Sequence, residues 1–155
     1  MHENRKIVVV AVIVICGVAP IGHIVFQNNT YASKEFANTV VYDKVLASRK
    51  WHWQTSGCSY AVVSLKEGAS HSPPDTWLGN ETWSKTPVRL TRPIHHDDTT
   101  NPISICVTEG AFSSEVADRL QTAVRNPGSY CIQLGETLLL YSEPQKIAAV
   151  VRYGD

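Results

Sequence analysis

The chain carries no surplus of charge of either sign: 14 lysines and arginines face 14 aspartates and glutamates, a formal net charge of +0. A nucleic-acid binder needs a basic surplus to displace counterions from phosphates, so nucleic acid is not an expected partner. The same balance excludes an acidic solvating tail. Four cysteines in 155 residues are too few for a scaffold built from disulfides. Motifs that announce common chemistries are missing as well. There is no GxSxG, SxxK, P-loop, GxGxxG, HExxH or paired CxxC, hence no nucleophile elbow, phosphate cradle or zinc signature. No repeat and no heptad run is present. No cofactor is expected, and no motif supports an enzyme.

What the chain does have is one long apolar run. Ile7 to Phe26 reads IVVVAVIVICGVAPIGHIVF, without a carboxylate, lysine or arginine. At 1.5 Å per residue, roughly 20 apolar residues cross a hydrocarbon core of about 30 Å. Arg5 and Lys6 precede the run, and the polar, uncharged Gln27, Asn28, Asn29 and Thr30 follow it. Positive-inside bias then keeps residues 1–6 in the cytoplasm, makes 7–26 a transmembrane anchor and exports 27–155 as one globular domain. That domain is periplasmic if the membrane is a bacterial inner membrane, and extracellular otherwise. The competing reading, a signal peptide cut ahead of Ser33, exports the domain equally.

Within the exported part, Ser33 can cap a helix from about Lys34 to Arg49, with Ala37, Val41 and Val45 recurring every four residues. Residues 57–65 (GCSYAVVSL) read as a strand from their β-branched and aromatic content. From about 67 to 102 glycine, proline and small polar residues predict a long irregular loop, with a short strand at Val88–Thr91. Ile103, Ile105 and Val107 alternate with polar residues and predict a strand. Ser113, Val116, Leu120, Ala123 and Val124 mark a capped amphipathic helix. Three strands follow, at Tyr130–Leu134, Leu138–Tyr141 and Ile147–Tyr153. The expected fold is α+β, or a two-layer α/β sandwich. Its mixed sheet has the strands flanking the crossover helix as parallel neighbours and ends in an antiparallel three-stranded meander.

Disulfides persist outside the cytoplasm, where Cys58, Cys106 and Cys131 are expected to lie. On two neighbouring strands Cys106 and Cys131 share the face opposite the apolar one, which favours a Cys106–Cys131 bond, with Cys58 as the alternative partner of either. Two groups of residues are candidates for function. His95-His96-Asp97-Asp98 holds metal-ligand types on one loop, but it has no second half elsewhere and reads better as a solvated loop balancing Arg89 and Arg92. Trp51, Trp53, Trp77 and Trp83 would, if exposed, stack on sugars or anchor a protein partner. The expectation is an anchored extracytoplasmic recognition domain, an accessory, inhibitor or immunity-type partner of an envelope protein. The alternatives are a glycan-binding module using those tryptophans and a metal-dependent hydrolase using His95, His96 and Asp97.

Overall fold

Strands buried on both faces read as continuous apolar runs, whereas half-buried strands alternate. Residues 147–151 (IAAVV) are all buried, which marks a strand with cover on both sides. The computed structural model, which describes residues 30–50, 57–77, 82–88 and 102–154, places that strand at the centre. Its elements are helical residues 30–35 (α1), β1 (Tyr42–Arg49), β2 (Cys58–Leu65), a 3-10 turn at Asp75–Trp77, β3 (Ser84–Lys85), α2 (Pro102–Thr108), α3 (Ser114–Arg125), β4 (Ser129–Leu134), β5 (Thr137–Ser142) and β6 (Ile147–Tyr153). The strands form one six-stranded sheet in the order β1-β2-β6-β5-β4-β3, and every pairing is antiparallel. The fold is α+β.

Alternation along the strands sorts two cores onto opposite faces of the sheet. Cys58, Tyr60, Val62, Leu138, Leu140, Ala149 and Val151 face α2 and α3. Ala61, Val63, Leu65, Leu139, Tyr141, Ala148 and Val150 face α1 and the loop carrying Trp77. The sheet is thus the middle of three layers, and β6 contributes to both cores. The meander β4-β5-β6 and the helix capped by Ser113 agree with expectation. Ser113 Oγ accepts from the Val116 amide at 3.4 Å, satisfying one of the amides that begin the helix.

Two elements differ from expectation. The helix expected over 34–49 stops near residue 35, and 42–49 is the edge strand β1. Asn38 at φ 60 takes the left-handed conformation that ends a helix without requiring glycine. The Ala37, Val41, Val45 stripe is not the buried one: Val41 is 70% exposed, while Phe36 and Val40 enter the core. The pairing of β1 with β2 shifts register twice, between Tyr42 and Lys44 and between Val45 and Ala47, as bulged edge strands do.

The second difference is at 102–108, expected as a strand from Ile103 and found as helix α2. Its buried residues are Pro102, Ile103 and Cys106; the last two lie three apart, with Val107 packed beside them, which is a helix face. Pro102 occupies the first turn, where its missing N–H costs nothing. Gly110 at φ 69 closes the helix, with the Ala111 amide donating to the Cys106 carbonyl and the Gly110 amide to the Val107 carbonyl, the paired bonds of a Schellman ending. With no strand there, the parallel crossover does not exist and the sheet is not mixed.

Segment 7–26 lies outside the described residues, among which no helix is long and apolar enough to cross a membrane.

Candidate functional site

The sheet has two poles. At one, which we term the proximal pole, lie the end of β1 at Arg49 and Lys50, the start of β2, the β4–β5 turn at Gly135-Glu136 and the end of β6. At the other, distal pole lie the β5–β6 turn at 143–146 and the loop that leaves β2 after Leu65.

The disulfide sits near the proximal pole. Cys58 is bonded to Cys106, with Cα atoms 5.7 Å apart, which staples α2 to β2. Cys131 is a free, buried thiol on β4. The expected Cys106–Cys131 pairing is therefore replaced by the alternative partner. Its premise was a strand at Cys106, and on a helix that side chain points from above the sheet rather than along a neighbouring strand. Burial pushes the Cys131 thiol up to about 11, so it stays protonated and is a poor nucleophile at neutral pH. A catalytic thiol at Cys58 is ruled out by the bond it makes.

The tryptophans divide. Trp51 and Trp53 lie outside the described residues. Trp77 is only 9% exposed and packs within 5.5 Å of Phe36, 5.2 Å of Trp83 and 6.4 Å of Tyr141, measured between ring centres. Trp83 is half-buried against it. Their indoles therefore close a core instead of presenting exposed stacking faces; an aromatic of that area gains more from burial under the sheet than from solvent. Beside them the Tyr141 hydroxyl donates to the Ser70 carbonyl at 2.7 Å, and Pro73 is buried. Together these contacts tie the underside of residues 66–77 to the sheet.

The upper side of that loop is polar and exposed: Lys66, Glu67, Ser70, His71, Ser72, Asp75 and Thr76. It joins the β5–β6 turn through His71 Nδ1, 3.4 Å from a Glu143 carboxylate oxygen. Glu143 also pairs with Lys146, whose hydrogen bond holds the carboxyl below its ordinary range, helped by His71. The turn is braced from the other face, because Arg119 on α3 donates to the Gln145 carbonyl at 2.6 Å and to the Lys146 carbonyl at 3.1 Å. The result is a fixed surface of mixed charge, with hydrogen-bond donors and acceptors at its top and aromatic rings beneath. Among the described residues it sets up no nucleophile and base in contact.

His95, His96 and Asp97 lie outside the described residues. No cluster of three metal-ligand side chains occurs among those described. Nothing in the sequence joins His71 to Glu143 and Lys146, which only the fold brings together; the Ser-Pro-Pro-Asp run at 72–75 marks no more than a turn in the loop. No family model matches the chain, and no curated protein or solved structure matches it either.

Proposed function

We propose that this protein is a membrane-tethered recognition domain that works outside the cytoplasm by binding another envelope protein, as an accessory, inhibitor or immunity-type partner. The observation that carries the export half of this reading is the Cys58–Cys106 bond, the kind of cross-link that persists in oxidising compartments. Tethering rests on the uncharged 7–26 segment and is supported by where the core begins. Tyr31 is 5% and Ala32 0% exposed, and the Ala32 amide donates to Ser48 Oγ at 3.2 Å. A cut ahead of Ser33 would remove both residues from the core, which favours an uncut anchor over a signal peptide.

The recognition half rests on the pinned loop 66–77 and the adjoining turn 143–146. A preorganised polar surface loses little entropy on binding, and a tether raises the effective concentration toward membrane-proximal partners, so modest affinity suffices. The contact residues are then Lys66, Glu67, His71 and Lys146, with the tryptophans acting from below.

In-cell photo-crosslinking tests this. A photoreactive residue at Glu67 or His71 should capture one discrete protein, and the same residue at Arg125, on α3, should not. Equal capture at all three sites, or none anywhere, would remove the surface from consideration. A reporter fused after Asp155 that is active in the cytosol would remove export.

A further inference from the structure

The direction of α1 decides which end of the domain meets the membrane. Its first turn lies at the proximal pole: the Ala32 amide reaches Ser48, near the end of β1, and Tyr31 feels the charge of Arg152, near the end of β6. The chain leaves α1 toward the distal pole, where Phe36, just past the helix, packs on Tyr42 at 6.1 Å and on Trp77 at 5.5 Å. The chain therefore enters the fold at the proximal pole.

Only Gln27, Asn28 and Asn29 separate Thr30 from Phe26, the last residue of the apolar segment. Four peptide steps reach at most about 14 Å. The headgroup zone on each side of a bilayer is itself roughly 5–8 Å deep. From these lengths, and resting on the tethered reading above, we infer that the proximal pole is a lipid-facing surface that lies against the headgroup layer. The pole suits that neighbour. Among the described residues Arg49, Lys50 and Arg152 outnumber the carboxylate of Glu136 there, a cationic excess complementary to anionic headgroups; Arg152 also donates to Thr137 Oγ1 at 2.9 Å, and Leu134 is 40% exposed beside the β4–β5 turn. The strands then run away from the bilayer. At about 3.3 Å per residue, a strand of this length lifts the distal pole some 20–25 Å further out, into reach of a partner's own exported domain.

The experiment uses the full chain, with Cys16→Ser to remove the thiol in the apolar segment. It is reconstituted into vesicles of phosphatidylethanolamine and phosphatidylglycerol that carry a headgroup-attached quencher. A fluorophore is placed at Leu134→Cys on the proximal pole or at Glu67→Cys on the distal one. The expected result is quenching several-fold stronger at position 134 than at 67, reduced when Lys50 and Arg152 are both changed to Glu. Equal quenching at the two positions, or stronger quenching at 67, in protein that floats with the vesicles overturns the lipid-facing pole while leaving the anchor standing. Protein that fails to float with the vesicles overturns the anchor and this inference together.

Discussion

Removing the Cys58–Cys106 bond should cost this domain a large fraction of its stability. The two cysteines are separated by 48 residues, and in the chain-entropy model closing a loop of that size in the unfolded state is worth about 4 kcal/mol. A domain of this size has roughly 5–15 kcal/mol in total, so the loss is about a quarter of it or more. The far end of the enclosed stretch is the part that depends on the bond. The stretch ends in α2, seven residues long, which is too short to persist as an isolated helix and is held by Ile103 and Cys106 packing onto the sheet. The variant should be Cys58→Ala with Cys106→Ala, because both sulfurs are buried and a serine hydroxyl there would add an unrelated desolvation cost. Urea unfolding of the full-length chain in detergent micelles, followed by tryptophan fluorescence, gives the difference. A loss of about 4 kcal/mol is expected, and less than about 1 kcal/mol would refute the loop-closure reasoning. The oxidised wild type provides a second check. Its native form should leave Cys131 unlabelled by maleimide until urea exposes it, and peptide mapping should join Cys58 to Cys106. A peptide joined through Cys131 would overturn the pairing itself.

Three further outcomes follow from individual contacts. Trp77→Ala should destabilise the fold by about 3–5 kcal/mol by emptying the space between Phe36, Trp83 and Tyr141, and Trp83→Ala should cost less; thermal unfolding by circular dichroism compares them. Ser113→Ala should cost about 1 kcal/mol through the lost cap on α3, read from the shift in urea midpoint. Tyr31 makes no hydrogen bond of normal geometry with the described residues, and burial, reinforced by Glu35 and opposed by Arg152, pushes its phenol from 10.0 up to about 12. The folded state thus keeps a proton that the unfolded state loses, so stability is full below about pH 10 and falls as pH rises toward 12. Tyr31→Phe should flatten that alkaline loss without lowering stability at neutral pH, and an unchanged alkaline profile would exclude Tyr31 as its source.

Where one periodicity had enough residues to declare itself, the sequence was legible. Twelve residues of α3 hold more than three turns, and Val116, Leu120, Ala123 and Val124 are all buried as their spacing requires. Strands β4 and β5 are joined by a turn at Gly135, φ 60, where glycine accepts the left-handed conformation that a tight connection needs. Seven residues are not enough. Over 102–108, alternation (Ile103, Ile105, Val107) and a helix face (Ile103, Cys106, Val107) fit equally well, and the deciding signals stand at the ends, in Pro102 and Gly110. The disulfide error descends from that one ambiguity, because the face assigned to Cys106 depended on its being in a strand. The 34–49 helix failed differently. Its four-residue repeat was real, but Val40, Val41 and Val45 are β-branched, and Asn38 can end a helix as glycine does.

The surface was hidden for a physical reason. Tryptophan in a proline-rich stretch invites an exposed-ring reading because local composition carries no information about what lies across the sheet. The partners of Trp77 are Phe36, just past α1, and Tyr141 on β5, and the antiparallel order β2-β6-β5 brings them beneath the loop. Once the rings are underneath, the residues left on top are Lys66, Glu67 and His71, and Glu143 and Lys146 join them from a turn far along the chain. None of these stands out by type. What distinguishes them is position: His71, 93% exposed, lies 3.4 Å from a Glu143 carboxylate oxygen, and the turn that carries Glu143 is braced by Arg119 from the opposite face of the sheet. The backbone of that turn is fixed from across the sheet, whereas a contact on so exposed an imidazole contributes little by itself, so it is the turn that would lose least freedom on meeting a partner.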